Sequence, residues 1–161
     1  MSTAGMTVAQ SNNFLAIEPR LVELVKAATA GLKPAVHVLA AADLADVKVA
    51  KQLAPAVHVI YGGAPQVIEN QGTRVLLLHR WHVVCVVRHV GSTRTGEQAR
   101  EALGPLAGLV LSALLHARVE GATLPVALSD QQRAPWFDSG TQFLPFTFDV
   151  RTVFHKQPQP Y

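Results

Sequence analysis

RVLLLHRWHVVCVVRHV, residues 74–90, is the stretch on which the fold of this chain turns. Its His79, His82, Cys85 and His89 stand at spacings of three, three and four residues, and Cys with His is the donor set that zinc prefers. On an α-helix each residue advances by about 100°, so the four side chains would share roughly a third of the circumference and make a metal face. The residues between them speak for a strand instead. Val83, Val84, Val86, Val87 and Val90 are β-branched and stiff at χ1, which suits a pleated strand better than a helix. The stretch has no polar helix opening and reads as a strand buried on both faces. In a strand His79, Cys85 and His89 share a face with Trp81, while His82 points the other way. At about 3.3 Å per residue, His79 and Cys85 stand roughly 20 Å apart, too far for one ion to bridge. These residues are therefore expected to fill a core or an interface, and no metal is expected.

The bulk numbers fit that reading. A chain of 161 residues, 49% of them hydrophobic and 16% charged, is long enough for one domain with a real core. So few charges on so small a chain suggest that a partner covers part of its apolar surface. The net charge is +3, but Lys and Arg are scattered and no aromatic residues interleave with a basic run, which argues against direct nucleic-acid recognition. The single Cys85 excludes an intrachain disulfide, so a reducing compartment is the default. MSTAGMTVAQSNN has no basic segment followed by an apolar run, so no signal peptide is expected. No stretch approaches the ~20 apolar residues of a membrane span, and a soluble intracellular protein follows.

Outward from the long strand, the chain alternates helix and strand signals. FLAIEPRLVELVKAATAGL places Leu21, Leu24, Val25 and Ala28 at helical spacing, with Pro19 suited to the first turn and Gly31 to the stop. Two near-copies follow, PAVHVL at 34–39 and PAVHVI at 55–60, each a proline-led apolar run of strand length and each expected at a sheet edge. Between them AADLADVKVAKQLA is ambiguous between a short helix and an irregular excursion, with Lys48 and Lys51 turned to solvent. ENQG, residues 69–72, is a hairpin turn into the long strand.

Beyond the strand, GSTRTGEQAREALGPLAGLVLSALLHARV is the main helix. Thr95 and Gln98 form a capping box, Pro105 is expected to kink the helix, His116 and Arg118 suit its negative end, and Gly121 stops it. Ala99, Ala102, Leu103, Leu106, Leu109, Val110, Ala113 and Leu114 make one apolar stripe. TLPVALSD reads as a short strand, and Asp138-Ser139-Gly140 as a turn. In TQFLPFTFDVRTVF an apolar face (Leu144, Phe146, Phe148, Val150, Phe154) alternates with a mostly polar one. Pro145 cannot donate to a ladder, so its end of the strand is expected at an edge or bulge. The fold class is α+β, a mainly antiparallel sheet against two helices. Residues 1–13 form a flexible start, 14–155 the domain and 156–161 an extended tail.

No chemistry assembles along the way. Cys85 lies among valines, where burial raises a thiol's pKa rather than activating it. G-x-S-x-G, H-E-x-x-H, EF-hand and P-loop patterns are all missing. Gly62-Gly63 lacks the rest of a phosphate-binding motif. The acidic residues are dispersed apart from Asp43 and Asp46. Neither an enzyme nor a cofactor is expected.

The order of parts is the informative feature. With APAVHVIYGG before a hairpin, RWHVVCVVR as the central strand, the amphipathic helix and the late GTQFLPFTFDV strand, the chain resembles the tail terminator proteins of bacteriophages and prophages over roughly residues 14–155. That resemblance implies a virion protein of the tail or neck, assembled in the host cytoplasm as a hexameric ring. The ring caps the tail tube protein, ends its polymerisation and meets head-completion or neck proteins. A transient, nonspecific contact with DNA is compatible with it, and no membrane is involved. Candidate interface residues are Lys48, Lys51, Arg94, Trp136 and Phe137, the last two being aromatic anchors beside a turn that could equally fill the core. The rival readings are another head–tail connector or neck protein, and a small basic nucleic-acid-binding module.

Overall fold

A computed structural model describes residues 12–41, 54–88, 97–138, 140–157 and 159, with 97–100 described as backbone only. Helix α1 (Glu18–Thr29) leads into β1 (His37–Ala41), β2 (Ala56–Tyr61), β3 (Gln66–Asn70) and the 15-residue β4 (Arg74–Arg88). Helix α2 (Glu97–Leu114) follows, then β5 (Ala127–Leu128), β6 (Trp136–Asp138) and β7 (Thr141–His155). The strands form one seven-stranded sheet in the order β1-β2-β4-β7-β5, with β3 also on β4 and β6 also on β7. Among the described strands only β1 and β2 run parallel, and all the other pairs are antiparallel.

The valine run of β4 is the spine. It pairs with β7 without a register shift from Arg74↔His155 to Arg88↔Thr141. Because side chains alternate, the register Tyr61↔Trp81↔Phe148, Val59↔Val83↔Phe146 and Val57↔Cys85↔Leu144 lays three rows across one face. Leu21 and Val25 of α1 and Leu103, Leu106, Val110 and Leu114 of α2 cover that face. Trp81 and Phe148 are fully buried in it, each contributing on the order of 1.5–3 kcal/mol by leaving water. The other face holds a smaller cluster, Ala56, Ile60, Val84, Val86 and Phe143, against which Trp136 packs.

Several local expectations change. The proline-led copies become β1 and β2, yet β2 is interior, between β1 and β4. They pair His37↔Ala56 rather than His37↔His58, a slip of two residues that keeps every side chain on its face. Helix α2 ends at Leu114 rather than running to Gly121. His116 turns left-handed (φ 59°), its N–H donates to the Val126 carbonyl, and the Val126 N–H donates to Ala117, so the approach to β5 takes over the groups the helix would have used. His116 and Arg118 therefore lie past the helix. Pro105 sits inside a helix that continues beyond it, its ring leaving the Glu101 carbonyl without the usual donor. The α2 stripe divides: Leu103, Leu106, Val110 and Leu114 are buried, while Ala102 and Leu109 are exposed.

Pro145 lies in the interior β7, opposite Val84. Two residues on, Thr147 directs both its N–H and its carbonyl away from β4, toward Gln132 and Ser129. Pro145 shares that parity, so its missing donor faces the flank between β6, which reaches Phe143, and β5, which begins opposite Asp149 and Phe148. The strand is interior, but the proline position is locally an edge. Thr95 of the capping box and residues 42–53 of the AADLADVKVAKQLA excursion fall outside the described residues.

Candidate functional site

The opening quartet divides as strand geometry requires. His79 and Cys85 face the helices, His82 faces the other side, and His89 lies outside the described residues. Both ring nitrogens of His79 are engaged, Nδ1 with the Tyr61 hydroxyl at 2.7 Å and Nε2 with Thr152 Oγ1 at 2.8 Å. Phe14 closes over that ring edge-on, with centroids 5.2 Å apart. Burial holds the His79 pKa below the ordinary histidine value and raises that of Tyr61. The neutral imidazole thus accepts at one nitrogen and donates at the other, which is how a core stays hydrogen-bonded around a polar ring. His82 bonds Thr147 Oγ1 at 2.9 Å; burial lowers its pKa first, and the charges of Arg133 and Arg80 add to that. Burial pushes the Cys85 thiol up to about 12, the opposite of the lowered value that activates a thiol. Among the described residues no cluster of three or more His, Cys, Asp or Glu is placed to hold a metal, and no helix is long and apolar enough to cross a membrane.

Of the five interface candidates, Lys48, Lys51 and Arg94 fall outside the described residues. Trp136 and Phe137 are half-buried neighbours on β6. Trp136 stacks on Phe143, with centroids 4.8 Å apart and planes 9° from parallel, and so roofs the cluster on the helix-free face. Pairing opposite Gln142 brings Phe137 to the same corner.

The surfaces that sequence reasoning missed are aliphatic. Leu109, Leu115, Leu124 and Leu128 are 38–51% exposed, and Val67 and Ile68 of β3 project at the far end of the sheet. The signal was present in α2, whose apolar stripe is wider than one core contact needs. The outer flank of β7 is closed by side-chain amides. Gln132 receives the Thr147 N–H on Oε1 and donates to the Thr147 carbonyl, and Asn12 does both for His155. Thr123 donates its N–H to the Arg151 carbonyl between them. The molecule thus has apolar surface to offer and one sheet flank protected against strand addition.

A family model described as "Phage tail terminator protein" matches residues 10–159. The chain belongs to the phage tail terminator family. It is a structural protein of a phage-type virion. No curated protein sequence matches it. Among solved structures, a chain of the virion of a native gene transfer agent particle superposes with a TM-score of 0.45 at 16% identity, covering 91% of each chain.

Proposed function

We propose that this tail terminator closes into a ring of six subunits that caps the finished tail tube, stops its polymerisation and presents its other side to head-completion or neck proteins. The observation that carries the reading is the family match over nearly the whole chain. The fold is compatible with it. A ring needs one heterologous interface that closes on itself and two faces for different partners, and the exposed leucines supply apolar surface away from the buried core. Trp136, Phe137, Lys48, Lys51 and Arg94 are proposed contact positions on those faces. The net positive charge would ease passage of DNA through the ring by weak, salt-sensitive contacts.

Added to polymerising tube protein, the terminator is expected to shorten the tubes and leave a distinct ring at one end, seen by negative-stain microscopy. Deleting its gene should give overlong tails and tailless heads. Normal tail length in the deletion would refute the reading. A connector would bind heads and leave tube length unchanged, and a nucleic-acid module would bind DNA tightly at physiological salt with no tube present.

A further inference from the structure

Two apolar surfaces lie toward opposite edges of the sheet. At the β1–β2 side a groove of about 380 Å³ runs between the α1–β1 connection and α2, walled by Pro34, Pro55, Pro105 and Leu109 and bordered by Lys33 and Arg88. The α2 wall of this groove is the surplus stripe: Ala102, Pro105 and Leu109 recur at helical spacing on a face turned from the core. Neither Lys33 nor Arg88 has an acidic partner among the described residues. On the β5 edge stand Leu115 and Leu128, 49% and 41% exposed. The bonds of His116 and Ala117 to Val126 bring the two segments together, and the exposed Asp130, with no ion-pair partner among the described residues, follows two residues after Leu128.

We infer that the groove receives the Leu115–Leu128 ridge of a second copy of this chain, with Asp130 of the incoming copy set against Lys33 and Arg88. The inference rests on the ring reading and deepens it by naming the contact. A ridge at one edge and a groove toward the other make a head-to-tail contact, the kind that generates a closed ring when its rotation closes. The charges facing each other across it are opposite in sign, and rim charges of this kind select the partner and its register more than they add affinity. Gln132 and Asn12 block the β7 flank, and β5 outside it is only two residues long, which leaves side-chain docking rather than strand pairing as the way this edge can be used.

The test uses full-length protein carrying Leu109→Asp in the groove or Leu128→Asp on the ridge, with Leu115→Asp as a second ridge variant outside any strand. Circular dichroism checks the fold. Light scattering reads assembly, or negative stain at tube ends if the wild type closes only there. Each variant alone should lose the ring, because every contact then lacks one half. An equimolar mixture of Leu109→Asp and Leu128→Asp retains one intact groove and one intact ridge per pair, so it should form a heterodimer and nothing larger. Arg88→Glu should loosen the ring at least tenfold, and Asp130→Arg added to it should recover most of that loss. Folded variants that still close rings would overturn this contact and leave the ring reading standing. So would a mixture that stays monomeric, or a Leu109→Asp protein that loses stability but keeps its ring, which would mean that the chain fills its own groove. A wild type that is monomeric both in solution and on tubes would sink both readings.

Discussion

His79 shows how one side chain can serve the core while looking like a ligand. Its ring is 1% exposed, bonded at both nitrogens and covered by Phe14. Burial lowers the pKa of His58 and His82 as well as His79. The folded chain therefore binds fewer protons than the unfolded chain once the pH falls below the ordinary histidine value of 6.5. Stability linked to these groups is complete above that pH and is lost as the pH drops toward the folded pKa values. The melting temperature should be level from pH 8 to about 6.5 and fall below it, with His82→Asn shallowing the fall; a level profile to pH 5.5 would show that these histidines are not held neutral. Cys85, 0% exposed with its thiol near 12, should resist thiol-reactive disulfides at pH 8 until the protein unfolds. Cys85→Ser should cost on the order of 1–3 kcal/mol, because it buries a hydroxyl with no partner among valines, measurable by denaturant unfolding. The sequence showed that His79 and His82 oppose each other across the strand. It could not show that Tyr61 and Thr152, at separations of 18 and 73 residues, would complete the His79 network.

At the scale of elements, period-two and helical patterns were legible wherever they coincided with burial. The valine run gave β4, the alternating aromatics gave β7, and Pro19 and Gly31 bracket α1. What escaped were decisions made by distant neighbours. The end of α2 is set by Val126, twelve residues past Leu114, and the place of β2 inside the sheet is set by β1 pairing outside it. The flank of β7 belongs to the same class, since nothing local to Gln132 announces that its amide stands in for a strand. Removing it tests the idea. Gln132→Ala leaves the Thr147 N–H and carbonyl without the amide and should destabilise by about 1–3 kcal/mol. It should also expose a sheet flank, so the variant is expected to aggregate at concentrations the wild type tolerates. Equal stability and equal solubility, by urea unfolding and light scattering, would mean that water replaces Gln132 without penalty.

For the whole molecule, the low charge content and the surplus apolar stripe are one property seen at two resolutions. A chain 16% charged, with Leu109, Leu115, Leu124 and Leu128 at its surface, gains stability by covering them, so folding and assembly should be linked by mass action. If the folded form is a ring of six, each chain gains five-sixths of the free energy of a tenfold rise in concentration, about 1.1 kcal/mol. In a domain of this size that raises the melting temperature by roughly 2–4 °C per tenfold. A dimer would give a little over half as much, and a monomer none. Scanning calorimetry across two decades of concentration should therefore show an upward drift of several degrees in the wild type. The drift should vanish in Leu109→Asp, whose contact is broken. A reversible transition fixed in temperature across that range would place the exposed leucines against the tube or the neck rather than against a neighbouring copy.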